Sequence, residues 1–341
     1  MKILMTGATG FLGRRTVARL APGHELTLLA RPTASRRGFP EGVRFAEGDV
    51  TDRASLERAM AGHDTVVHAA ALVKIDAPAA EFDRVNVGGF ENVLAAAAAT
   101  GVRRILYVSS FIALGPTERG PGGVLDETAE PRIEERRAAW INDYERTKTL
   151  SDASARRAIE LGVPLSVVYP GVIYGPGELT EGNIVVRHIL DLARGELPAL
   201  LGRPERRWNY VFVEDVAQGI ASALERAPAG ARYVLGGENV TSGEFYRLVE
   251  QLGGIAVPRR RMPDALGKVA GFLMKHGARI AGKTPKLTPD LVEIYRHDWA
   301  YDSRRAAAEL GYAPRSLAAG LGETFEWLRS TPEWASIQVR K

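Results

Sequence analysis

The sequence predicts an α/β fold built on a parallel sheet, and three observations carry that prediction. The stretch Thr6-Gly-Ala-Thr-Gly-Phe-Leu-Gly13 stands between an apolar run at 2–5 and a helical pattern at 14–20, with Val17 and Leu20 on one face. Five more short apolar runs, at 26–30, 43–46, 65–71, 104–108 and 165–169, alternate with helical patterns. Polar and glycine-rich punctuation lies at the ends of the runs: Arg31, Gly48-Asp49-Val50, Ser109-Ser110 and Pro170-Gly171. Apolar strands that alternate with helices give a parallel sheet covered on both faces, and ligands then collect outside the carboxyl ends of the strands.

The first strand, its glycine turn and the helix that follows form a dinucleotide site by composition. Gly7 allows the sharp turn, Gly10 lets the backbone approach a pyrophosphate, and Gly13 lets the helix pack close to the sheet. The free N–H groups and the positive end of the helix dipole face the anion. The expected fold is therefore a Rossmann doubly wound parallel sheet, residues 1–171, with a smaller mixed α/β substrate region at 172–341. The two are partly interleaved, since 211–216 and 233–235 again read as strand. A long helix is expected at 81–100, and its alanine run at 95–99 has strong helix propensity. The segments expected over the substrate are 178–201 and 237 to the C-terminus.

Composition excludes several classes. The 341 residues can bury a large core. With no cysteine, thiolate catalysis and disulfides are excluded, and six scattered histidines without paired spacing argue against a metal. A net charge of +4 is small for this length, and Arg259-Arg-Arg261 lacks interleaved aromatics, so no nucleic-acid partner is expected. No apolar segment has transmembrane length, and with a strand at the first residues no secretory signal is expected. A cytoplasmic location and no membrane partner are the expectation. Residues 264–280 carry Leu266, Val269, Phe272 and Leu273 at helical spacing, with Lys268, Lys275, His276 and Arg279 between them. They read either as a lid or membrane-surface helix or as a helix packed on the substrate region. The packed helix is favoured, because most amphipathic helices face their own core. Gly267, Gly271 and Gly277 argue against a continuous helix.

The chain resembles the extended short-chain dehydrogenase/reductase family. The matching pieces are the glycine stretch 6–13, Gly48-Asp-Val-Thr-Asp52, Val67-His-Ala-Ala-Ala71 and Asn86-Val-Gly-Gly-Phe-Glu-Asn-Val93. Tyr107-Val-Ser-Ser110, Tyr144-Glu-Arg-Thr-Lys148 and Tyr169-Pro-Gly-Val-Ile-Tyr-Gly175 continue the series in family order. Trp208-Asn-Tyr-Val-Phe-Val-Glu-Asp-Val-Ala217 and Glu309-Leu-Gly-Tyr312 extend it. Within the family the chain looks most like the dihydroflavonol-reductase-like and hopanoid-associated epimerase-like members. The resemblance implies cofactor contacts at Gly7, Thr9, Gly10, Phe11, Leu12, Gly13, Asp49, Val50, Ala69, Ala70, Ala71, Lys148, Tyr169, Pro170, Gly171 and Val172. Asp49 and Val50 are implied beside the adenine, and Tyr169-Pro-Gly171 beside the nicotinamide. Asn86 is implied in structure or a proton relay.

Tyr144 and Lys148, four residues apart, share one helix face. Carbonyl reduction needs a hydride from a nicotinamide and a proton from the protein, which assigns the proton to Tyr144. Its ordinary pKa, near ~10, is too high for efficient exchange at neutral pH. An ammonium about 5 Å away, at an effective dielectric of ~20, favours the phenolate by ~3 kcal/mol. Lys148 is therefore expected to lower the Tyr144 pKa by about two before desolvation subtracts some, and to bond the nicotinamide ribose. Ser110 is expected to donate to the carbonyl oxygen, with Ser109 as fallback.

Function divides into a reductase or dehydrogenase for a ketone, aldehyde or secondary alcohol, a nucleotide-sugar epimerase or dehydratase with a tightly held cofactor, and a dinucleotide sensor without turnover. The Ser110, Tyr144 and Lys148 set argues against the sensor. Nucleotide-sugar members commonly place an arginine where this chain has Trp208, although Arg207 is adjacent. The segment 110–144 is long and rich in Pro and Gly, as in flavonol-reductase-like members. The reductase is favoured. Trp140, Tyr174, Ile184 and Trp208 are candidate substrate contacts. NADP(H) is expected over NAD(H), which stays possible: no Asp or Glu occurs in 26–40, and Arg31 at the strand end, with Arg36 and Arg37, is available for a 2′-phosphate. Arg14 adds to the same field. A homodimer is expected, through the helices at 81–100 and at Tyr144, as in the family.

Overall fold

All six apolar runs form strands: β1 (Lys2–Thr6), β2 (Glu25–Ala30), β3 (Arg44–Glu47), β4 (Thr65–His68), β5 (Arg104–Val108) and β6 (Leu165–Pro170). The structure is a computed structural model that describes residues 1–337 except 75–76, 119, 131–132, 134–139 and 282–284. Three more strands, β7 (Val172–Tyr174), β8 (Arg207–Phe212) and β10 (Glu238–Thr241), form a separate mixed sheet in the order β10-β8-β7. The remaining strand, β9 (Arg232–Leu235), pairs in parallel with β6 and completes a seven-stranded sheet in the order β3-β2-β1-β4-β5-β6-β9. A cut at residue 171 therefore leaves one strand of the main sheet in the second half. Pro131, in the Pro/Gly-rich segment noted above, lies outside the described residues.

Strand alternation splits the core into two layers. On one face Leu4, Val66, Ile105, Tyr107, Val167 and Tyr169 meet Leu56, Phe90, Val93 and Ala155. These come from α2 (Arg53–Met60), α4 (Gly89–Thr100) and α5 (Asp143–Glu160). A short α3 (Ala79–Phe82) and a π-helical stretch, Asp83–Gly88, lead into α4. On the other face Ile3, Met5, Leu28, Val67, Leu106 and Val168 meet Val17, Leu20, Val216, Ile220 and Leu224, from α1 (Phe11–Leu20) and α7 (Val213–Arg226). Residues 213–216, expected as strand, open this helix instead. Glu214 and Asp215 sit in its first turn, where the dipole favours acids. Each fully buried aliphatic side chain in these layers stabilises by about 1.5–3 kcal/mol.

The second half adds α6 (Ile184–Ala193), α8 (Ser242–Gly253), α9 (Asp264–Ile280), α10 (Pro289–Ile294), α11 (Arg304–Leu310), α12 (Leu317–Arg329) and α13 (Pro332–Ala335). Residues 264–280 form one continuous helix, against which their three glycines had counted. The loop after β5 is strapped down. Tyr301 donates its hydroxyl to the Gly115 carbonyl at 2.5 Å, Leu125 N–H donates to Ala300 at 3.1 Å, and buried Glu127 accepts from Val234 N–H at 3.2 Å. Its described residues are anchored to 298–301 and to β9.

Candidate active site

Because the main sheet is parallel, Thr6, Ala30, His68, Val108 and Pro170 end at one edge, and the strand order reverses between β1 and β4. That edge is where open α/β sheets take ligands. Gly7 turns there with φ 73°, and a Cβ on it would lie 2.5 Å from the Ala69 carbonyl carbon. A Cβ on Gly13 would lie 2.1 Å from the Gly7 carbonyl oxygen. Gly13 thus packs the helix onto the turn itself, rather than onto the sheet. Gly10 is exposed and caps α1 without a side-chain hydrogen bond, with no acid in the first turn. The first N–H groups of α1 are therefore oriented for an anion brought by a ligand. Thr9 and Leu12 are half-buried beside it, and Phe11 is buried.

Ala69, Ala70 and Ala71 continue β4, small and half-buried. Thr6 fixes this passage: its hydroxyl meets His68 Nδ1 at 2.8 Å and accepts from Ala70 N–H at 3.3 Å. Burial pushes His68 down to about 3, so the ring is neutral. Asp49 spends one carboxylate oxygen on a turn, accepting Thr51 N–H and hydroxyl at 2.9 Å each. Val50 is buried against Gly89.

The β2 end separates the arginines. Arg31 is exposed and has no ion pair among the described residues. Arg36 leans on Phe45 and lies 3.8 Å from Glu47. Arg14 stacks on Phe39, pairs with Glu178 at 3.1 Å and donates to the Arg37 carbonyl at 2.9 Å, so it braces the loop.

Asn142 caps α5, accepting Glu145 N–H at 2.8 Å, while the Glu145 carboxylate accepts Ile141 N–H at 2.7 Å. This sets Tyr144 in the first turn and Lys148 one turn on. The Ser110 hydroxyl lies beside Tyr144, near enough to favour its phenolate, and accepts from Ile112 N–H at 3.4 Å. Ser109 Oγ is buried without a hydrogen-bond partner among the described residues. Lys148 is 3% exposed. Its Nζ donates to the Val108 carbonyl at 3.4 Å and lies 5.2 Å from the centre of the Tyr107 ring.

The expected lowering of the Tyr144 pKa is not found. Burial pushes the hydroxyl up, and Ser110 only partly opposes this. Lys148 is itself desolvated, down to about 8, and its Nζ bonds a backbone carbonyl. Desolvation governs both groups here.

Asn86 sits in the π-helical stretch and is 3% exposed. Its amide oxygen accepts Leu72 N–H at 2.7 Å, and its nitrogen donates to Thr147 Oγ1 at 3.0 Å. Arg146 to Asp83 at 2.7 Å and Ser151 Oγ to the Asn86 carbonyl at 3.1 Å add two more ties. Asn86 therefore bolts the chain after β4 to the helix that carries Tyr144 and Lys148.

The other residues expected at the site differ in their exposure. Tyr169 is fully buried and donates to Asp152 at 2.5 Å, so its side chain belongs to the core. Pro170 is buried and Val172 half-buried. Gly171 is needed for Asn209: a Cβ there would lie 2.4 Å from Asn209 Oδ1. Tyr174 is 1% exposed, edge-on to Phe212, with its hydroxyl directed to the Leu317 carbonyl. It is a core residue. Trp208 is buried against Tyr295 and Trp299. Arg207 donates to the Gly123 carbonyl at 2.7 Å and lies 3.7 Å from Asp298. Ile184 is exposed, and Trp140 is half-buried before α5. Sequence reasoning missed Asn209, fully buried and bonded to Asn239, Gly237 and Tyr301, which locks the small sheet to the strap. Its signal was an asparagine inside an otherwise apolar strand.

The chain as a whole has relatives among known proteins. The chain is 32% identical over 338 residues to sterol demethylase protein B of Methylococcus capsulatus, covering 96% of this chain and 98% of that one. It is 28% identical to a 3 beta-hydroxysteroid dehydrogenase/Delta 5-->4-isomerase of Mycobacterium tuberculosis, over 92% and 86% of the two chains. The crystal structure of gox2253 superposes with a TM-score of 0.80 at 34% identity, covering 97% and 99%. The sequence pattern of the NAD dependent epimerase/dehydratase family matches residues 3–236. The chain belongs to that family and is an enzyme of the extended short-chain dehydrogenase/reductase type.

Proposed function

We propose that the protein is an NADP(H)-dependent oxidoreductase that reduces a ketone or aldehyde, or oxidises the matching secondary alcohol, with Ser110, Tyr144 and Lys148 as catalytic residues. A reduced nicotinamide, when bound, supplies the hydride. The glycine turn at 7–13 and the 69–71 passage hold the dinucleotide. Ser110 donates to the substrate oxygen as charge builds on it. Tyr144 Oη gives its proton to that oxygen, and the resulting phenolate is stabilised by the Lys148 ammonium before solvent returns the proton. A tyrosine kept protonated by burial suits the donor role.

The observation that carries reductase over nucleotide-sugar epimerase is the commitment of Arg207. The arginine that stood ready to grip a diphosphate is bonded to Gly123 and paired with Asp298. Trp208, at the aligned position, carries no charge for a diphosphate and packs against Tyr295 and Trp299. Two relatives carry sterol and hydroxysteroid in their names, in keeping with an apolar substrate. Titration with UDP-glucose is the test: the proposal expects no binding below about millimolar concentration, the range of weak contacts. Micromolar affinity would overturn it.

Arg31 supports the preference for NADP(H), as an exposed guanidinium at the β2 end with no ion pair among the described residues. Arg31→Asp is expected to weaken NADPH binding about tenfold or more and to leave NADH binding within a few-fold, from loss of a charge-assisted pair. Calorimetry checks it, and tighter binding of NADH than NADPH by the parent protein contradicts it. The proposed assembly is a homodimer through α4 and α5, where Ala98 and Ala99 are exposed. Sedimentation at micromolar protein should give twice the chain mass, and a monomer would refute it.

A further inference from the structure

The helix α9 turns its large apolar side chains outward. Leu266 is 58% exposed, Val269 59%, Phe272 54%, Leu273 64% and Ile280 91%. With Met274, they are six of the ten exposed large apolar side chains among the described residues. The expected burial of this face against the substrate region is thereby corrected. The packed side is instead Gly267 and Gly271, both buried. A Cβ on Gly271 would lie 2.7 Å from the Thr288 carbonyl carbon, and one on Gly267 3.1 Å from Val292. Glycine lets the helix backbone approach α10 closely, and this fixes the opposite face toward solvent. At 100° per residue, Phe272, Val269, Ile280, Leu273 and Leu266 fall within an arc of about 120°. Over 17 residues the ridge is about 25 Å long.

Charge decides what covers it. Residues 259–280 hold six Lys and Arg against one Asp. Lys268 and Lys275 lie on the arc between the glycine face and the apolar arc. Lys268 pairs with Glu293 at 2.7 Å and keeps 44% of its side chain exposed. Arg259 pairs with Glu250 at 3.0 Å and is 83% exposed, and Arg260 is exposed. A second copy of the chain on this ridge would set like charges against like. A single convex helix also offers little area against the ~1,600 Å² of a standard interface. An anionic bilayer meets both features, taking the apolar arc into the headgroup–acyl boundary and pairing its phosphates with the flanking cations.

We propose that α9 docks the protein on an anionic membrane surface, with Leu266, Val269, Phe272, Leu273 and Ile280 entering the interface. No helix among the described residues is long and apolar enough to cross a membrane, so the association is peripheral. This replaces the expectation of no membrane partner, and it is independent of the reaction proposed above.

The test is co-sedimentation of the full chain with vesicles of phosphatidylcholine containing about 30% phosphatidylglycerol, a typical anionic fraction for such electrostatic binding. The parent protein should pellet with them, several-fold more than with phosphatidylcholine alone, and less in about 0.5 M salt, where charges are screened. The double substitution Phe272→Glu and Leu273→Glu should cut binding at least about tenfold, by loss of buried apolar area. Its melting temperature and its turnover with a water-soluble substrate should stay unchanged. Absence of parent binding, or equal binding by the variant, overturns the proposal. A parent oligomer that the variant dissociates, without vesicle binding, overturns it in favour of a second copy. Loss of turnover without vesicle binding overturns it in favour of a lid.

Discussion

Tyr144→Phe is expected to lower turnover by about 10²–10⁴-fold, the range for removal of a positioned proton donor. Cofactor affinity should stay within a few-fold. The ring keeps the packing of the first turn of α5, and the Asn142 cap and Glu145 bond that place it do not involve the hydroxyl. The hydroxyl lies beside Ser110, whose bond from Ile112 N–H does not depend on it. Steady-state kinetics beside calorimetric cofactor titration measures both effects. Turnover within a few-fold of the parent would remove Tyr144 from the chemistry.

Lys148→Met is expected to abolish turnover and to stabilise the cofactor-free protein. Burial holds Lys148 at about 8 against an ordinary 10.5. At about 1.36 kcal/mol per pH unit, keeping the ammonium buried costs about 3 kcal/mol. The group is 3% exposed, so solvent screening does little to reduce that cost. Methionine has a similar reach and no charge, and it forgoes only the weak bond to the Val108 carbonyl. A net gain of about 1–3 kcal/mol follows. The sign with pH is set by the depressed pKa. Between about 8 and 10.5 the unfolded chain holds a proton that the folded one has lost, so this group's contribution to stability rises with pH. The advantage of the variant should shrink across that window. Denaturant midpoints at several pH values check it, and a variant less stable than the parent at pH 7 contradicts it. Stability given up at a buried cation is what a site kept for chemistry predicts.

How much of this was legible in the residues depends on how far apart the partners stand. The glycine turn was readable, since the positive φ of Gly7 and the contact of Gly13 with the Gly7 carbonyl are local, although Ala69 also presses on Gly7. The Tyr144–Lys148 face was readable from helical spacing alone. The strand ends at Ala30 and Val108 followed from polar punctuation. The tie from Arg207 to Gly123 and Asp298 spans more than eighty residues each way, so adjacency to Trp208 suggested a freedom that Arg207 lacks. Tyr174 lies in a strand whose alternation cannot show that Phe212 and Leu317 close over it. The spacing of Leu266, Val269 and Leu273 gave the stripe of α9 but not its direction. Gly267 and Gly271, which counted against a continuous helix, are the packed face. The Tyr144 pKa went the other way because a Coulomb estimate from spacing leaves out how deeply both groups are desolvated.

The central claim is net reduction of a released carbonyl, and the most direct measurement is the fate of the cofactor. Purified protein is mixed with NADPH and a panel of apolar ketones and aldehydes, and nicotinamide absorbance is followed with product analysis. The account predicts stoichiometric loss of NADPH with formation of the alcohol for at least one member, absent in Tyr144→Phe. Isomerisation or dehydration of a nucleotide sugar, with the cofactor returned to its starting state each turnover and no net loss with any carbonyl, would contradict it.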